Sequence, residues 1–129
     1  KIVQQQLVVA RCAIAASSHT CLPVALRVDP GLIINNGAAG MPNFRDTRHG
    51  VITRIAATPS PHLALYGTRM GKAYVDALPV RYDHERWQRE FLANWPQGSP
   101  AFESYHRRII RGPSFTIDDA NRLHGVLLS

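Results

Sequence analysis

A histidine and a cysteine stand two residues apart in "SSHTCLP", residues 17–23. Imidazole and thiolate together are ligands for zinc or iron. In an extended segment, residues two apart point the same way, so His19 and Cys21 would converge on one ion. A zinc site uses three or four ligands, and no third His, Cys, Asp or Glu lies within five residues of this pair. The bland alternative is a half-buried histidine beside an inert buried thiol. Cys21 as a nucleophile would need a base. His19, His49 and His62 are available, and no local cysteine-protease signature selects one.

A second stretch, "IINNGAAGMPNF" at residues 33–44, sets Gly37 and Gly40 three apart among small residues. Such a loop lets backbone come close to a ligand or to another strand. It lacks the Gly-Lys-Ser/Thr ending of a P-loop. Asn35 and Asn36 can donate to a phosphate or hold a turn. Arg45, Arg48 and His49 follow, facing either an anion or solvent. A third stretch, "YHRRIIRG" at residues 105–112, makes a basic helix face suited to a phosphate backbone or to solvent.

These stretches need elements to hold them. Up to about residue 82 the chain reads as strands: 7–16, 24–28, 32–35, 50–57, 63–68 and 73–82. The run at 7–16, "LVVARCAIAA", reads as a buried strand. "DPG" at 29–31 joins the second and third runs as a hairpin, and "RMGK" reads as a later turn. Pro79 assigns the last strand to an edge or a bulge. From Asp83 onward the pattern is helical. Asp83 is an N-cap before Trp87, Phe91, Leu92 and Trp95 on one face. Ser99-Pro100 opens a second helix with a stripe of Phe102, Tyr105 and Ile109. Thr116 and Asp119 form a capping box for a short third helix reaching Leu123. The aromatic stripes are read as core. The expected fold is layered α/β or α+β, with a mostly antiparallel or mixed sheet and two to three C-terminal helices. One sheet face is then left without cover from this chain.

The 129 residues suit a single domain of 1–129, strand-rich over 1–82 and helical over 83–129. Apolar residues make up 45% and charged residues 19%, a globular balance. No apolar run approaches the roughly 20 residues that span a bilayer, and the N-terminus makes a poor signal peptide. Two cysteines permit one bridge but make no disulfide framework, so a reduced, cytoplasmic protein is expected. The formal charge is +6, and 13 of the 15 basic residues are arginine. Arginine binds phosphate and carboxylate as a planar fork, which fits an anionic partner. An arginine-rich, solvated surface explains the same excess.

Taken together, "SHTCLP", the hairpin "VALRVDPGLII" and "NNGAAGMP" resemble the C-terminal half of the calcineurin-like metallophosphoesterases. In that family a strand ends in Gly-His-x-His before a hydrophobic residue and Pro. A short hairpin follows, then a loop of the type Asn-x-Gly-Ser-x-Gly. "GVITRIA" and "AYVDALPVRYD" also look like the family's terminal strands. The stretch from "VDALPVRYD" to "GSPA" resembles a bacterial branch with extra C-terminal helices. The likeness covers roughly residues 7–82.

The resemblance implies His19 and Cys21 at the positions of the family's two metal-binding histidines. It implies Asn35, Asn36, Gly37 and Arg45 as substrate-binding candidates, with residues 35–40 as one wall of the cleft. It further implies manganese, iron or zinc as cofactor, and metal-activated water attacking a phosphoester. Ser18 stands where the family has Gly, and Cys21 where it has the second His. The family's earlier motifs, Asp-x-His, Gly-Asp and Gly-Asn-His, do not occur in this chain. The chain, which starts at Lys1, is therefore expected to be a partial domain, inactive alone, whose missing half would supply the other ligands and cover the open sheet. Two further expectations stand beside this one. One is a non-catalytic basic module binding nucleic acid or another anionic partner through Arg107 and Arg108. The other is a homodimer, formed through the uncovered sheet face. No membrane association is expected.

Overall fold

The strand runs pair into two sheets rather than one. The computed structural model describes residues 2–124, so Lys1 lies outside them. The first sheet contains β1 (Ile14–Ser17), β2 (Val24–Val28), β3 (Gly31–Asn35) and β7 (Asn121–Arg122), in the order β1-β3-β2-β7. The second contains β4 (Gly50–Ala56), β5 (Tyr66–Met70) and β6 (Ala73–Val80), in the order β4-β6-β5. Both sheets turn one face into a shared core. Ala25, Leu32 and Ile34 of the first meet Val51, Tyr66, Val75 and Ala77 of the second around Phe44. Each sheet thus covers one face of the other, where a single sheet was expected, and the outer face of the first sheet keeps Val24, Leu26, Val28 and Ile33 only half-buried.

The β2–β3 hairpin pairs as expected, Val24 opposite Asn35 and Val28 opposite Gly31. β1 joins β3 in parallel, Ile14 beside Leu32 and Ser17 beside Asn35. The C-terminal ends of β1 and β3 therefore lie at the same end of the sheet. This places the loop of residues 18–23 next to the loop of residues 36–43.

Three expected elements differ. The run at 7–16 is not one strand: its first part closes helix α1 (Ile2–Val9), and β1 starts only at Ile14. Gln4, Gln5 and Gln6, just ahead of that run, favour helix over the β-branched residues around them. Leu7 anchors α1, being 4% exposed and seated over Gly31, where an added Cβ would lie 2.7 Å from its Cδ1. Next, β5 begins at Tyr66, three residues late, and takes in Arg69 and Met70, so the turn is only Gly71-Lys72. Finally, β6 is the central strand of its sheet despite Pro79. β5 pairs with β6 only as far as Ala77, so Pro79 lies past the end of that ladder. The missing N–H is tolerated there.

The helical part follows its caps. α2 (His84–Asn94) starts at Asp83, whose Oδ1 accepts from the Arg86 amide at 2.9 Å. α3 (Pro100–Arg111) starts at Ser99 with Pro at its first position. α4 (Ile117–Ala120) opens on the Thr116–Asp119 capping box and stops at Ala120, before Leu123. Phe91 and Ile109 are buried, as the stripes predict. Trp95 and Tyr105, on the same stripes, remain 41% and 50% exposed.

Candidate functional site

The two loops singled out in the sequence are in contact. The His19 amide donates to the Gly37 carbonyl at 3.2 Å, and the Asn36 amide to the Ser17 carbonyl at 3.2 Å. Ser18 Oγ also donates to the Gly37 carbonyl, at 3.3 Å. Asn35 holds this junction from below. It is 4% exposed, donates through Nδ2 to Ser17 Oγ at 2.9 Å, and accepts the Gly37 amide on Oδ1 at 2.7 Å. Asn36 donates to the Val51 carbonyl at 2.8 Å, which ties the loop to β4. The amides of Asn35 and Asn36 are thus engaged by protein.

Gly37 is required by its backbone and its neighbours. Its φ is +68°, and a Cβ would meet Asn43 Oδ1 at 2.4 Å and Pro23 at 3.0 Å. Such a φ favours glycine. Asn43 is fully buried and clamps the loop: Oδ1 accepts from the Ala38 amide at 2.8 Å, and Nδ2 donates to the Ala38 and Met41 carbonyls at 2.5 and 3.2 Å. The loop has the close backbone approach its glycines predict. What approaches Gly37 is the chain itself.

His19 and Cys21 sit on a bent segment, not an extended one, so the same-side rule does not apply to them. Both are exposed, and both have left-handed backbone, with φ of 79° and 64°. Single non-glycine residues in this region cost of order 1–3 kcal/mol and cluster at functional sites. The Cys21 thiol lies 3.7 Å from the His19 carbonyl. Arg108 of α3 donates through Nη2 to the Cys21 carbonyl and so ties the helical part to this loop. Both cysteines are free thiols.

Beside the junction, Ser17, Ser18, Asn36 and Thr53 line an open cleft of about 500 Å³. Thr53 Oγ1 is buried there without a hydrogen-bond partner. Arg45 stands apart: its side chain is exposed, and its amide donates to the Phe115 carbonyl at 2.8 Å. Ser17, Thr53, Asn43 and Arg108 are members that sequence reading did not assign to the site. Ser17 and Asn43 lie inside the two quoted loop motifs and Arg108 inside the basic helix stretch, whereas nothing in the sequence marked Thr53.

The donor set limits what metal the site can hold. It offers one imidazole and one thiol, and among the described residues no group of three His, Cys, Asp or Glu gathers. Structural and catalytic zinc sites need three or four protein ligands. The described residues therefore do not fit a metal by themselves.

The basic face of α3 is divided. Arg107 and Arg111 are exposed, whereas Arg108 is half-buried against Cys21. His106 stacks on Phe102 at 4.3 Å between ring centroids and lies 6.3 Å from Phe91, within the aromatic layer between α2 and α3. No helix among the described residues is long and apolar enough to cross a membrane. Comparison with family models, with curated proteins and with solved structures finds no match for this chain.

Proposed function

We propose that this chain is the C-terminal portion of a metal-dependent phosphoesterase-like hydrolase. The junction of residues 17–23 with residues 35–40 would form one corner of its active site. The observation that carries this reading is the parallel pairing of β1 with β3, which brings together the two loops on which the family resemblance rests. His19 stands exposed at that corner on left-handed backbone, free to ligate. Cys21 is a second candidate ligand. The remaining ligands would come from outside the described residues. Metal bound there would supply hydroxide and polarise a phosphoryl oxygen.

Two exposed apolar regions support a partial domain. Val24, Leu26 and Val28 of β2 and Ile33 of β3 point away from the core and are only half-buried. Helix α1 leaves Ile2, Val8 and Val9 between 62% and 78% exposed. Surfaces of this kind mark contact with another segment or chain.

The test is made on the gene product at its natural length, tagged in its host and assayed on bis(p-nitrophenyl) phosphate with added manganese. The proposal expects hydrolysis that is lost on chelation and on His19→Ala. A natural product without phosphoesterase activity, or one indifferent to His19→Ala, would refute it.

A further inference from the structure

The outer face of the second sheet carries a different cleft, whose lining has one sign of charge. Its floor is Ile52 of β4 and Leu78 of β6, cross-strand partners, together with Leu65. Its rim is His49, His62 and Arg81. The cleft measures about 500 Å³, within the range of small-molecule sites, which combine an apolar body with a few polar groups. No acidic side chain lines it. A comparable cleft of about 590 Å³ beside Trp87 differs in this respect. There Arg86 and Glu90 pair at 2.9 Å and neutralise each other. Leu63, on the lip of the rimmed cleft, is 91% exposed.

From this juxtaposition we infer a binding site for a small organic oxyanion, a phosphoryl or carboxylate group carried on an apolar body, with phenyl phosphate as its probe. Arg81 supplies a charged fork, which matches two phosphoryl oxygens. His49 sets its Nδ1 3.2 Å from the Gly50 carbonyl, which leaves Nε2 for the ligand. The ligand's apolar body would lie on Ile52 and Leu78 and cover Leu63. This site needs no metal and does not rest on the hydrolase reading.

Titration of the purified chain with phenyl phosphate, with EDTA present to prevent any metal-dependent turnover, tests the inference. Binding is followed by calorimetry and mapped by amide chemical shifts. Expected are shifts centred on Ile52, Leu65 and Leu78, and affinity for inorganic phosphate at least about fivefold weaker, since it lacks the apolar contact. Arg81→Gln should weaken phenyl phosphate about tenfold, in line with a charge-assisted hydrogen bond. Ile52→Ser, at a position 42% exposed and so safe for folding, should weaken phenyl phosphate but not inorganic phosphate. Equal affinity for the two probes, indifference to Arg81→Gln, absence of binding, or shifts centred on the exposed arginines of α3 would each overturn the site.

Discussion

The His19 amide lies 3.2 Å from the Gly37 carbonyl, and this hydrogen bond joins two loops separated by the Val24–Asn35 hairpin. It exists because β1 and β3 run parallel and end together. The candidate corner is therefore a property of sheet topology, and its integrity should depend on the residues that hold the loops rather than on the exposed candidates.

Gly37→Ala should be strongly destabilising. It places a side chain on left-handed backbone, at roughly 1–2 kcal/mol. It also forces a Cβ to 2.4 Å from the buried Asn43 amide oxygen, and overpacking of this kind costs about 1–3 kcal/mol more. Urea unfolding should show a midpoint lowered accordingly. A midpoint equal to that of the unsubstituted chain would show that the loop is not held as described.

Asn43→Asp is a sharper probe of the same clamp. The Asn43 amide donates to two carbonyls and accepts from one N–H, and it is fully buried. A carboxylate keeps the shape and loses both donors. Stability at neutral pH should fall by about 3 kcal/mol or more, the cost of stranding buried polar groups around a charge. Asn43→Ala should cost less than Asn43→Asp. The reverse order in chemical unfolding would contradict this account.

Much of the helical part was legible because its ends are local chemistry. Asp83, Ser99-Pro100 and Thr116 with Asp119 each cap the helix that follows them. Strand ends marked by Asp29, Pro30 and Gly31 were legible for the same reason. What was hidden depends on distant partners. Nothing near Ile14 announces a parallel neighbour at Leu32. The division into two sheets is decided by which strands meet across the core. Ala25 is fully buried while the larger Leu26 beside it is not, so residue size alone misleads about the inner face. The candidate residues His19, Cys21, Asn35, Asn36 and Gly37 could be picked out from the sequence. That the asparagine amides and Gly37 are occupied by the chain itself could not.

His84 predicts a pH dependence. It is 7% exposed, and neither ring nitrogen has a hydrogen-bond partner. Burial, then the charge of Arg48, lowers its pKa, with Glu85 opposing. The folded chain therefore keeps His84 neutral at a pH where the unfolded chain, titrating near 6.5, takes up a proton. Its contribution to stability is full above about pH 6.5 and is lost as pH falls through the lowered value. His84→Leu should flatten this acid-side loss and leave stability at pH 8 unchanged or raised, since it removes unpartnered nitrogens. Unfolding midpoints at pH 8 and pH 5.5 for both chains decide the matter. An identical slope in the two would show that His84 does not titrate between the folded and unfolded states as argued.

Residues 1–129 alone should neither retain metal through gel filtration nor turn over a phosphodiester. Two donors are too few to hold an ion tightly. His19→Ala and Cys21→Ala, at exposed positions, should each change folding stability by no more than about 0.5 kcal/mol. Manganese-dependent hydrolysis by this chain in isolation would mean that the site is complete within it.

The most direct test of the central claim is the metal content of the protein purified at its natural length from its host, measured beside a His19→Ala variant. The account predicts about two transition-metal ions per chain, as two-metal phosphoesterase chemistry requires, with a clear loss in the variant. A natural-length protein that carries no metal, or whose metal content is the same without the His19 imidazole, would contradict the assignment of residues 17–23 to a metal-dependent active site.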